Sequence, residues 1–130
     1  FIQDGDVTGV MSVANSESSI DIYLGIGGGP EGVLSAAALD CMGGQMQTRL
    51  VINNDDEKNR AEKIGIKDLE KKYNLNELAH GDIIFSATGV TEGTMVRGVR
   101  SDSSHYITHS LVLRTGEAAS QYIETYHKKD

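Results

Sequence analysis

The chain has 130 residues, with 12 basic against 19 acidic side chains and a formal net charge of −7. That length makes about one domain with room for a real core, and 38% hydrophobic with 24% charged residues describes neither a disordered tract nor a membrane-embedded protein. No run approaches the ~20 apolar residues of a spanning helix, no charged-then-apolar leader opens the chain, and the acidic balance argues against nucleic-acid or anionic-membrane binding, which needs a basic patch.

The single cysteine, Cys41, lies in LSAAALDCMGG and reads as a buried structural thiol in a reducing cytoplasm. A start at Phe1 that reaches the polar DGDV by residue 4 suggests a fragment. Residues 7–14 read as a short helix capped by Asp6, and NSES (15–18) as a turn. SIDIYLGI (19–26) is β-branched and aromatic and reads as a strand running into a glycine loop. Pro30 suits a first helical turn, and residues 30–42 carry Val33, Leu34, Ala37, Ala38 and Cys41 at helical spacing, closed by Gly43-Gly44. Residues 45–52 read as a second strand and 54–65 as a polar helix started by Asn54 or Asp55. DLEKKY (68–73) reads as one further helical turn. Strands follow at 81–90, 94–101 and 105–114, the last antiparallel to its neighbour, and then a helix over 116–126. The alternation predicts a single α/β domain over 1–130 with a largely parallel sheet.

The stretch GIGGGPEG (25–32) carries the chemistry. A strand, a run of glycines and a helix N-terminus let backbone N–H groups approach an oxyanion, which the helix dipole favours. The dinucleotide fingerprint needs a third glycine where Pro30 stands, and a Walker loop needs Gly-Lys-Ser/Thr, whereas no lysine precedes Lys58. Glu31, in the first turn, is either a stabiliser of the helix dipole or a ligand for a divalent cation that contacts the phosphate. Asp4, Gly5 and Asp6 pose a parallel choice between a turn with a helix cap and carboxylates facing sugar hydroxyls or a metal. His105 and His109, Arg97, Arg100 and Arg114, and Ser86 with Thr88 read as structural or surface residues rather than as ligands, phosphate clamps or a second oxyanion loop. DDEKNRAEK is a solvated helix face.

DGDVTGVM, GIGGGPEGVLSAAALDCMGGQMQTRL, IIFSATGVTEGTMVRGVR and THSLVLR together resemble, in that order, the carboxy-terminal part of the class II fructose-1,6-bisphosphatases. This bacterial family in some lineages also acts on sedoheptulose 1,7-bisphosphate. The resemblance implies the C-terminal half of an inositol-monophosphatase-like sugar phosphatase fold, a layered α/β sheet with helices on both faces. It also implies hydrolysis of the 1-phosphate of fructose 1,6-bisphosphate, as in gluconeogenesis, by a cytoplasmic homo-oligomer using manganese (Mn2+) or magnesium. Asp4, Gly5 and Asp6 match the family's substrate-contacting DGD, Gly28 its substrate-touching loop glycine, and Glu31 a metal ligand. Gly29 and Thr8 stand where the family commonly has alanine. The other metal acids, the catalytic threonine region, a substrate tyrosine and an arginine phosphate clamp belong to an N-terminal half not in this chain, so the expectation is no catalytic residue here and no activity for the chain alone. The alternative is a non-catalytic α/β module that binds a phosphorylated sugar or nucleotide through residues 25–31.

Overall fold

The computed structural model describes residues 6–130. Helix α1 runs Asp6–Ser12, one residue earlier than expected, and its last turn tightens into i→i−3 bonds from Val13 to Val10 (3.3 Å) and Ala14 to Met11 (3.1 Å). Asp4 and Gly5, and the side chain of Asp6, lie outside the described residues.

Residues 19–26 form no strand. A strand needs a ladder partner, and none of the described strands runs alongside, so Ile22, Leu24 and Ile26 stand 70%, 84% and 82% exposed. Ile20, Ile22, Leu24 and Ile26 stand at alternate positions of this segment, and all four are exposed.

Helix α2 (Gly29–Met42) starts beyond Gly28 with Pro30 in its first turn. It ends at Gly43, whose φ of 71° is the left-handed value that favours glycine, with Gly44 N–H bonding back to Leu39 O at 2.8 Å. Its buried residues are Ser35, Ala36, Ala38 and Leu39, not Val33 and Leu34, which are about half exposed. The helix is apolar nearly all round, so periodicity does not choose its inner face. The small side chains are buried, as close approach of helix to neighbour requires.

Strand β1 (Gln47–Arg49) is shorter than the expected 45–52 and pairs antiparallel with β2 (Lys72–Asn74). That pairing corrects residues 68–73, which are not helical; a single helical turn, α4 (Leu75–Leu78), follows instead. Between them lies α3 (Asp55–Lys63), where the Asn54 side chain accepts the Glu57 N–H at 2.9 Å as an N-cap.

The main sheet is built from β3 (Ile84–Thr88), β4 (Arg100–Ser101), β5 (His105–Arg114) and β6 (Gln121–Lys128). The expected strand at 94–101 contracts to two residues, and the expected helix at 116–126 is strand β6. Among the described residues every strand pair is antiparallel, in both sheets, which overturns the parallel expectation. β5 and β6 are joined by the short link 115–120, with Gly116 at φ 78°; a parallel pair needs a crossover of a dozen residues or more.

The core lies between the helices and one face of this sheet: Met11 of α1 and Ala38 of α2 pack on Phe85, Leu111 and Leu113. Among the described residues the helices cover that face alone. The opposite face leaves Ile84 68% exposed and Tyr106 52% exposed, so helices on both faces are not what these residues form. Among the described residues no helix is long and apolar enough to cross a membrane.

Candidate functional site

The glycine loop and the first turn of α2 bring Gly28 and Glu31 onto one spot. Gly28 has extended geometry (φ −69°, ψ 156°), and its C=O accepts the first helical bond, from Gly32 N–H at 3.0 Å. The amides of Gly29 and Glu31 precede the point where helical acceptors begin, and they add to the positive end of a 14-residue helix. The Glu31 side chain folds back over Gly28: a Cβ at Gly28 would lie 3.2 Å from Glu31 Cδ and would collide with Oε2. Gly29 differs, since a Cβ there meets nothing within 4 Å. The segment from Gly25 to Glu31 is exposed throughout, so it presents an open surface rather than a pocket.

The chemistry available is a carboxylate, a hard oxygen donor suited to magnesium or manganese, beside amide donors suited to a phosphate oxygen. One carboxylate does not complete a coordination shell, and among the described residues no three His, Cys, Asp or Glu side chains gather to hold a metal. The structure therefore joins Gly28 to Glu31, while Asp4 and Gly5 remain outside the described residues.

The larger cleft lies elsewhere. About 310 Å³ in volume, it is lined by apolar residues such as Met11, Met95 and Leu111 and by polar ones such as Ser12, Asn15 and Ser18, and among the described residues Glu17 is its one carboxylate. It is a mixed polar and apolar gap beside the core, with no cluster of acids or bases among the described residues that line it.

The remaining polar residues take structural partners. His109 Nδ1 accepts the Arg97 N–H at 3.0 Å, and its ring stacks on Tyr122 with centroids 5.5 Å apart. His105 sits 3.6 Å from Asp102. Arg97 (3.5 Å) and Arg100 converge on the Glu124 carboxylate, and Arg114 lies 3.4 Å from Glu117. Thr88 and Ser110 share a hydroxyl hydrogen bond of 2.8 Å across β3 and β5, so Ser86 and Thr88 belong to a strand and not to an oxyanion loop. Cys41 is half-buried, its Sγ 3.8 Å from Ile83 O, and burial pushes its thiol above the ordinary value, as a structural thiol requires. Glu124 is the partner that sequence reasoning missed, because 116–126 was read as helix; the signal was the i, i+2 spacing of Tyr122, Glu124 and Tyr126.

With this geometry in place, a profile of the bacterial fructose-1,6-bisphosphatases encoded by glpX matches residues 1–127. The chain belongs to that family. Among its relatives, a protein of Synechocystis named D-fructose 1,6-bisphosphatase class 2/sedoheptulose 1,7-bisphosphatase is 38% identical over 143 residues, covering 100% of this chain and 41% of the relative. A protein of the same name from Trichodesmium erythraeum is 36% identical over 98% of this chain and 41% of the relative. One from Acaryochloris marina, named as the second such enzyme, is 37% identical over 98% and 40%. The chain thus spans about two-fifths of the length of these class 2 bisphosphatases, and Gly28 and Glu31 fall within the matched span.

Proposed function

We propose that this chain is the carboxy-terminal α/β portion of an enzyme that hydrolyses the 1-phosphate of fructose 1,6-bisphosphate to fructose 6-phosphate, with sedoheptulose 1,7-bisphosphate as a second substrate. The observation that carries the reading is the Glu31 carboxylate folded over Gly28 at the N-terminus of α2, within a chain whose family match spans residues 1–127. Glu31 would hold one divalent ion, manganese or magnesium, whose charge polarises a phosphate and lowers the pKa of bound water. The α2 amides and the small Gly28 would let a phosphorylated sugar approach the backbone, and Asp4 and Asp6 would accept its hydroxyl hydrogens. The remaining acids and the arginine clamp would come from the N-terminal half of the enzyme. In that complete protein the layered inositol-monophosphatase-like fold and a homo-oligomer are part of the same reading.

Two measurements test it. Phosphate release from fructose 1,6-bisphosphate with manganese should be absent for the purified 130-residue chain and should appear when the N-terminal half is supplied; turnover by the chain alone would sink the division of the site. Manganese-dependent binding of the bisphosphate should weaken about tenfold or more in Glu31→Gln, the scale on which loss of a metal-site group acts. Unchanged binding would instead make the loop a non-catalytic module that takes phosphorylated sugars or nucleotides through backbone amides.

A further inference from the structure

Ion pairs among the described residues join one acid to one base at Arg49 with Glu70, Lys71 with Glu77 and Arg114 with Glu117. One locus departs from that pattern. Arg97, in the link between β3 and β4, contacts Glu124 Oε1 through Nη1 at 3.5 Å, and Arg100 of β4 contacts the same oxygen through Nη2. The other carboxylate oxygen of Glu124 accepts the Tyr126 hydroxyl at 3.4 Å. Two positive charges therefore meet one negative charge, in a chain whose formal net charge is −7 and in which spare acids are plentiful.

The donors left over point to a ligand. Each guanidinium carries five N–H donors and, among the described residues, gives its side-chain hydrogen bonds to Glu124 alone. Both side chains remain open to solvent, at 60% and 46% exposed. His109 stands directly across the ladder from Glu124 and so shares its face of the sheet. Its Nδ1 accepts the Arg97 backbone N–H at 3.0 Å, which leaves the proton of the neutral ring on Nε2 and makes that atom a third donor. Stacking on Tyr122, with the ring planes 8° apart, orients the imidazole. Along this face Leu111 and Leu113 are buried in the core, whereas Tyr122, Glu124 and Tyr126 are exposed.

Chemistry selects among anions. Arginine forks suit carboxylate and phosphate alike. Three donor groups on three separate segments exceed the two oxygens of a carboxylate, whereas a phosphate group offers three strong acceptors. Phosphate also carries close to two negative charges at neutral pH, against the one of Glu124. Exposed ion pairs are weak, so moving Glu124 aside costs little.

We propose that Arg97, Arg100 and His109 form a phosphate-group site, distinct in its residues from the Gly28–Glu31 loop, in which Glu124 holds the two guanidinium groups together until a phosphate takes its place. Glu124 is then both a positioning residue and a built-in competitor.

The probe is inorganic phosphate, titrated calorimetrically into the purified chain in metal-free buffer of low ionic strength. The unsubstituted chain should bind it, and more weakly as salt is raised. Arg97→Gln and Arg100→Gln should each lose about tenfold or more in affinity, the scale of a hydrogen bond to a charged group. Glu124→Gln keeps the shape of the side chain but removes the competing charge, and it should gain about threefold, the scale of an exposed ion pair. Arg114→Gln, whose guanidinium is paired with Glu117, should bind as the unsubstituted chain does. Far-UV circular dichroism verifies that each variant keeps its sheet. Methyl phosphate separates the two sources of the group: comparable binding assigns the site to phosphate esters, and loss confines it to the free ion. No phosphate uptake by the unsubstituted chain, unchanged affinity in Arg97→Gln and Arg100→Gln, an equal loss in Arg114→Gln, or weaker binding in Glu124→Gln overturns the proposal.

Discussion

At Gly28 and Glu31 one side chain occupies the space that another residue's Cβ would need. An alanine at 28 collides with Glu31 Oε2 and must push the carboxylate off the loop, while an alanine at 29 enters open space at the start of α2. Gly29→Ala should raise stability by about 0.5–1 kcal/mol, the ordinary gain of alanine over glycine at a helical position, and leave manganese binding unchanged. Gly28→Ala should keep the helicity of α2 and weaken manganese binding as Glu31→Gln does. Thermal melts followed by circular dichroism, with a manganese titration of each variant, separate the two. Wild-type manganese affinity in Gly28→Ala would show that the carboxylate does not act from its place over the loop. The resemblance already marked position 29 as one where alanine is common, and the open space there gives the reason. That Glu31 folds back onto Gly28 was not legible, because spacing places both residues in one turn without setting a rotamer.

The elements that sequence read best are those whose ends carry their own chemistry. Helix α3 has an acceptor at Asn54 and acids at Asp55, Asp56 and Glu57, and it forms as expected. Glu57 also accepts the Asn53 backbone N–H at 2.7 Å, Glu77 that of Asn74 at 3.0 Å, and Asp102 those of Ser104 and His105. These amide bonds hold all three carboxyls below their ordinary values of 4.5 for the glutamates and 3.8 for the aspartate. A group whose folded pKa is depressed stabilises the fold above its unfolded pKa, and the contribution fades as pH falls through the lower, folded value. Acidification from about pH 5 downward through the carboxylate range should therefore loosen the start of α3, the α4 turn and the 102–105 turn. Amide hydrogen exchange as a function of pH reads this locally, and Glu57→Gln should remove the pH dependence at α3 while sparing the other two. Protection at α3 that is flat with pH in the unsubstituted chain would mean that the Glu57 bond carries no stability. Elements without end signals were read least well. The 116–126 region contains charged residues at spacings a helix also allows, and its strand identity comes from its ladder with β5. The segment 19–26 has strand composition but no ladder, so composition misled there in the opposite sense.

Across the molecule, apolar residues divide into those inside the helix–sheet core and those left outside it. Leu111 is 3% exposed among Met11, Ala38, Phe85 and Leu113, whereas Leu24 is 84% exposed. Leu111→Ala should lower unfolding free energy by about 2–5 kcal/mol, and Leu24→Ala by no more than about 0.5 kcal/mol. Urea denaturation of the two variants checks the contrast, and equal losses would show that residues 19–26 pack in solution. An exposed row of Ile20, Ile22, Leu24 and Ile26 is a surface that soluble proteins seldom leave bare, and it leads straight into the loop that carries Gly28 and Glu31. The chain spans about two-fifths of the length of these relatives.

The sequence determined several features by itself: the family, carried by four long segments in order; the helix after Pro30 and its stop at Gly43; a polar helix started at Asn54 or Asp55; and the strand 105–114. Apart from the family, these depend on groups a few residues apart. Strand direction, the inner face of α2, the identity of β6 and the open state of 19–26 depend on which distant segments meet. Only the tertiary structure decided those, because a β ladder and a buried face are properties of two partners, and a sequence pattern describes one at a time.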